Sequence, residues 1–228
     1  MEPPLAAKVR TECDGSRTLI LVGSAASVLE GDELAVSLRV GPGARLAVRS
    51  VAAQLVHPCP GGGWGNLTVD VAVEAGASLC WSPEPVVVAA GAGLQARTTV
   101  ACAADAGLWW TDELVLGRSG ENRCDLRLDT SVRIDRDGRP AWRDGLSTGG
   151  GWTGPAVLGT ARYVATTVRL DPSEATVPVG TVDLPSVPGP DPDPFDSGWL
   201  PLAGGGALRR VLAADPAAGR ATLGPLRP

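Results

Sequence analysis

The chain is short of the side chains on which most catalytic and metal sites draw. In 228 residues it has one histidine, His57, and one each of methionine, tyrosine and phenylalanine. A Ser/His or Cys/His nucleophilic system would have to use His57, and there is no Gly-x-Ser-x-Gly turn. Lysine occurs once, at Lys8, so nearly all positive charge is arginine, interspersed with aspartate at a net charge of −5. No Lys/Arg block stands out, which argues against nucleic acid as a partner. No run approaches eighteen consecutive apolar residues, and the Met1 end lacks a basic region followed by an apolar one. The expectation is therefore a protein with no membrane span and no signal peptide. The five cysteines, Cys13, Cys59, Cys80, Cys102 and Cys124, are odd in number and form no Cys-x-x-Cys pair. They are too sparse for a disulfide scaffold, and the expectation is a reduced, cytoplasmic protein.

What the chain has in abundance is glycine, 30 residues, and proline, 20. That composition argues for many turns and few long helices. Between the turns the sequence alternates. Leu34, Val36, Leu38 and Val40 point one way and Ala35, Ser37 and Arg39 the other, up to Gly41-Pro42-Gly43. This is strand–turn–strand. Four related stretches follow one another roughly thirty residues apart: LRVGPGARLAV, VAVEAGASLCW, VACAADAGLWW and VRIDRDGRPAW. Self-similarity at such a period predicts stacked β units. Cys59, Cys80, Cys102 and Cys124 share the spacing and are expected to be small apolar members of the unit. Trp81, Trp109 or Trp110, and Trp142 are expected to be core layers at equivalent places. Tyr163–Leu170 reads as a further strand. The segment from Pro185 to Gly198 reads as a Pro/Asp-rich loop or linker, and Leu208, Val211 and Leu212 have helical spacing ahead of Pro216. The predicted fold is all-β, a solenoid-like stack of strand–turn–strand units with one or two short C-terminal helices. Residues 1–30 form an N-terminal segment with a strand, 31–170 the repeated body, and 171–228 a Pro-rich loop and helical tail packed on the same domain.

Three kinds of chemistry are open to this sequence. LVHPCPGGGW, residues 55–64, places His57 beside Cys59, but one His and one Cys fall short of the three or four ligands of a stable zinc site. It reads first as a strand running out into a turn. Asp105, Asp112, Glu113 and Glu121 are candidates for a carboxylate pair of the kind a β-helical glycosidase uses. Gly117-Arg118-Ser119-Gly120-Glu121 implies a tight turn with a defined ion pair or anion contact. Pro83 and Pro85 stiffen an extended segment whose backbone would be free to meet a partner.

Several of these pieces, taken in order, resemble one family, the urease accessory protein UreD, also called UreH. They are GDELAVSLRVGPGARLAVRSVAAQLV, then Gly76, Ala77, Leu79, Trp81, Pro83, Glu84 and Pro85 of VEAGASLCWSPEPVVV, then GRSGE, DGRPAWRDGL and GPAVLGTARYVATTV. The tail LPLAGGGALRRVLAADPAAGRATL fits as well. The set covers about nine tenths of the chain, and it is the order that makes it specific. Gly117-Arg118 and Gly120-Glu121 are closer together than in the family, so that loop is shortened. The resemblance implies a β-helical scaffold for urease maturation with no catalysis of its own. It would bind a UreF-type protein, which recruits a UreG-type GTPase, and dock on apo-urease. No cofactor would be held stably, and nickel would pass through transiently. The residues singled out for partner contact are Trp81, Pro83, Glu84, Pro85, Gly117, Arg118, Gly120 and Glu121; His57 and Cys59 are singled out as a transient nickel waypoint.

Overall fold

The computed structural model describes residues 5–13, 15–23, 28–122, 125–148, 152–171, 198–203 and 205–223. The alternating stretches are strands, as their period requires. In chain order they are β1 (Leu5–Thr11), β2 (Arg17–Gly23), β3 (Glu33–Val40), β4 (Arg45–Ser50), β5 (Gln54–Val56), β6 (Gly65–Val73), β7 (Ser78–Trp81), β8 (Val86–Val88), β9 (Gly93–Cys102), β10 (Gly107–Leu116), β11 (Arg127–Arg136), β12 (Arg139–Ser147), β13 (Tyr163–Leu170), β14 (Leu200–Pro201) and β15 (Ala207–Ala213). One helix, α1 (Pro216–Leu223), follows.

The strands form two facing sheets. Sheet B runs β12-β11-β9-β6-β3, and sheet A runs β1-β2-β4-β7-β10-β13-β15-β14, with β5 and β8 attached beside β10. The chain crosses from sheet B to sheet A and back in three successive coils. β3, β6, β9 and β11 are parallel neighbours in sheet B, as are β4, β7 and β10 in sheet A. The turns from B to A also stack. The amides of Glu74 and Ala103 donate to the carbonyls of Val40 and Val73 at the same point of successive coils, and Asp137, where β11 ends, donates likewise to Cys102 O. Gly43 and Gly76 sit there at φ 65° and 64°, where a side chain would be strained.

Residues facing inward between the sheets form two apolar groups. One, near the stacked turns, contains Val40, Val73, Leu79, Val100 and Ile134; the other, at the far end, contains Leu34, Val56, Val88, Leu94 and Leu128. The alternation read from Leu34 to Val40 is thus realised.

Four expectations need correction. The fourth stretch, VRIDRDGRPAW, is not a fourth coil: β11 turns at Asp137-Gly138 and pairs with β12 antiparallel in the same sheet. A hairpin here ends the stack. Trp142 therefore stands opposite Ile134 in sheet B, not in the column of Trp81 and Trp110 in sheet A. The cysteines are buried at 59, 80 and 102, but not at equivalent places: Cys80 is aligned with Ala47 and Trp109, and Cys102 with Val73 and Arg136. Cys124 lies outside the described residues, as does almost all of the Pro185–Gly198 segment. The helical spacing of Leu208, Val211 and Leu212 falls in strand β15, and the helix begins only at Pro216. Asp215 caps it, its Oδ1 accepting the Ala218 amide at 2.7 Å.

Candidate functional site: an interior cavity between the sheets

Between the two apolar groups the interior is not filled. A cavity of about 670 Å³ lies there, walled mostly by aliphatic side chains of both sheets. Its sheet A wall carries Trp81 and Trp110, parallel neighbours whose rings stack at 4.6 Å and 2°. The Trp110 indole N–H donates to Asp112 Oδ2 at 2.6 Å. Asp112 stands at an inward position of β10, between Trp110 and Leu114. Burial pushes its carboxyl up to about 6; the Trp110 hydrogen bond works against this and the charge of Asp144 adds to it. Asp144 reaches in from β12 and pairs with Arg210 of β15, so one ion pair ties the two sheets together. Arg210 Nε also donates to Thr166 Oγ1 at 3.2 Å.

Asp144 and Arg210 were not singled out in the sequence, yet a signal was present. Each interrupts an inward-facing apolar series: Asp144 between Trp142 and Leu146, Arg210 between Leu208 and Leu212. Asp112 does the same, and was weighed only as part of a carboxylate pair. As neighbours in a strand, Asp112 and Glu113 point to opposite faces of sheet A and cannot work as such a pair. Trp81 and Trp110, 4 % and 1 % exposed, are spent on each other.

LVHPCPGGGW leaves β5 as a turn. The His57 amide donates to Val28 O, and the Cys59 amide to Gly91 O. His57 lines the cavity. The Cys59 sulfur is instead turned to backbone, accepting the Gly93 amide at 3.4 Å. The glycines have a partner of their own: the amides of Gly61 and Gly63 both donate to the carboxylate of Glu30. A Cβ at either position would fall within 2.6 Å of that carboxylate. Among the described residues no three His, Cys, Asp or Glu side chains cluster as a metal site.

Trp81–Pro85 is a break in sheet A, not an exposed peptide. The Ser82 amide donates to Val48 O, the Glu84 amide to Ser50 Oγ, and Pro85 O accepts from Gln54. The backbone expected to be free is thus engaged. In GRSGE the predicted ion pair forms between Arg118 and Glu121. Glu121 also accepts the amides of Arg118 and Ala90; the Arg118 side-chain hydrogen bond first, and these amides with it, hold its carboxyl down to about 2. Gly117 and Gly120, at φ 83° and 79°, allow the turn. The loop fastens the end of β10 to the 88–91 turn. Cys80 and Cys102 are buried thiols whose pKa burial raises, Cys102 to about 12, so neither is activated.

The fold and the cavity define a class: a two-sheet β-solenoid whose interior holds a few polar groups, with no cluster of three metal-ligating side chains among the described residues. The model of the UreD urease accessory protein family matches residues 2–227. A urease accessory protein UreD of Parafrankia sp. (strain EAN1pec) is 36% identical over 218 residues, covering 86% of this chain and 69% of the relative. One from Streptomyces coelicolor is 36% identical over 221 residues, covering 94% of this chain and 82% of the relative. The chain belongs to the UreD family of urease accessory proteins, and this membership supports a role in urease maturation. Among the described residues no helix is long and apolar enough to cross a membrane.

Proposed function

We propose that the protein is a non-catalytic, cytoplasmic scaffold that binds UreF-type and UreG-type accessory proteins and apo-urease and helps nickel reach the urease active site. The observation that carries this reading is the family match across nearly the whole chain. The interior cavity supports a route for the cargo. Asp112 is an anionic stop on a mostly apolar wall, and a single carboxylate binds weakly enough to release what it holds. His57, on the same wall, is a second waypoint; Cys59 joins only if its turn opens. Arg118 and Glu121, on an outer loop, are the residues for partner contact, with Trp81–Pro85 as a second candidate segment.

The test is co-expression with urease and its other accessory proteins. Asp112→Ala should lower the nickel content and activity of the urease by about tenfold while partner pull-down stays intact. Unchanged nickel loading would rule out the route through Asp112. Exchanging the charges of Arg118 and Glu121 should weaken pull-down; full retention would remove that loop from the interface.

A further inference from the structure

The charges around the cavity are not balanced. Of the ionisable side chains that line it, Glu84, Asp112, Glu113 and Asp144 are acids, against Arg210 and His57. Three of the acids are answered from within the chain. Asp144 pairs with Arg210. Glu84 and Glu113 share Arg220 of α1, whose Nη1 donates to Glu84 Oε2 at 2.6 Å and whose Nε lies 3.4 Å from Glu113 Oε2. Asp112 differs. Among the described residues its one hydrogen bond comes from a neutral donor, the Trp110 indole, and it goes to Oδ2; Oδ1 has no partner, and Asp112 has no ion pair. A carboxylate walled in by apolar side chains favours a positive charge beside it, and Asp144 nearby adds to that demand.

The rest of the wall calls for a different kind of surface. Leu55 and Leu114 from sheet A and Leu67 and Leu94 from sheet B bring aliphatic carbon to the cavity from both sides. A hydrated inorganic ion gains nothing from such a wall, whereas a hydrocarbon gains free energy with every atom it buries there. The volume, about 670 Å³, is within the range of sites that enclose small organic molecules, about 300–1,000 Å³. The lining is continuous with the outer surface: Val51 and Val157, which border the cavity, are 66 % and 49 % exposed. A small molecule can therefore reach the interior without unfolding the sheets.

We infer that the cavity is a binding site for an organic cation, a protonated amine whose ammonium group pairs with Asp112 and whose hydrocarbon body lies along the aliphatic walls of both sheets. An organic anion of the same shape is repelled by the acids, and a bare small ammonium leaves the walls unused. The inference goes beyond the scaffold reading and does not rest on it, since the binding is a property of the chain without urease or nickel.

The test is calorimetric titration of the isolated full chain with octylammonium, octanoate, octanol and ethylammonium. Octylammonium should bind at one site per chain. Octanoate and ethylammonium should each bind at least about tenfold more weakly, the first for its charge and the second for its missing body. Asp112→Asn should weaken octylammonium about tenfold and leave octanol unchanged, because only the charged head loses its partner. Ala96→Leu, which adds carbon to the sheet B wall of the cavity, should weaken both, with thermal unfolding showing that the fold is kept. No saturable binding of octylammonium would overturn the inference. Octanoate binding as tightly as octylammonium would overturn the sign of the charge, and ethylammonium doing so would mean simple counter-ion binding to an acidic chain. Octylammonium affinity unmoved by Asp112→Asn and by Ala96→Leu would place the ligand outside the cavity and overturn the site.

Discussion

At the scale of single residues, the sharpest consequence concerns Asp112. Its carboxyl prefers the protonated form in the fold, about 6 against 3.8 for the free side chain. The stability this group contributes is fully present below about pH 3.8 and is lost as pH rises through about 6, for a total of about 3 kcal/mol. Asp112→Asn should therefore be more stable than the wild type at pH 7, and the difference should shrink toward pH 4. Urea denaturation of both proteins across that range checks it; parallel curves would mean that Asp112 titrates normally. Trp81 carries a different kind of weight. Truncating it to alanine removes a stacked ring from the cavity wall and should cost about 3–5 kcal/mol in the same assay. Both residues stood out in the sequence, Trp81 through its motif and Asp112 as an acid. What could not be seen was that Trp110 holds Asp112, because a contact across a strand's own pleat depends on the rotamers of both residues. Cys59 shows the reverse. Two positions from His57, it suggested a shared face, but a turn has no pleat, and the thiol went to the Gly93 amide.

At the scale of elements, β15 shows how a correct pattern can mislead. Leu208 and Leu212 face the space between the sheets, while Val211 and Ala213 face α1 on the other side. A strand buried on both faces loses its alternation, and three apolar residues at spacings of three and one then imitate a helix. The same dense packing governs Gly219. Alanine normally favours a helix over glycine by about 1 kcal/mol. Here its Cβ would lie 2.4 Å from the Tyr163 ring and 2.8 Å from Ala213. The clash should win, and Gly219→Ala should destabilise by about 1–3 kcal/mol. A raised melting temperature would show that the helix lifts at little cost. The hairpin β11–β12 imitates a coil for a related reason. Its strand–turn–strand pattern matches that of a coil, and nothing local tells the chain whether to return to the sheet it left or cross to the other.

At the scale of the whole molecule, parallel stacking makes inside and outside a collective property. Asp70 points outward from β6, aligned with Ser37 and Thr99. Deleting it would turn one half of β6 over and drive Leu67 or Val71 and Val73 toward solvent. Such a deletion should abolish cooperative unfolding, read by calorimetry, whereas Asp70→Ala should leave it intact. The solenoid itself was legible because each coil repeats the same alternation. The cavity was not, since it depends on how side chains of both sheets meet, which no single coil reveals.

The two kinds of connection differ in one respect. The links from sheet B to sheet A, 41–44, 74–77 and 103–106, are equal in length, and their amides are bonded from coil to coil. The links that return to sheet B, 57–64, 89–92 and 117–126, differ in length, although they too are bonded from coil to coil, the Cys59 amide to Gly91 O and the Gly91 amide to Asp125 O. One margin of the molecule is thus set at a fixed gauge, and the other is adjustable. Differences in length accumulate on the second margin, where the coil-to-coil bonds fall between turns of unequal size. That margin is where the glycine turn around Glu30 and the shortened Arg118–Glu121 loop already hang.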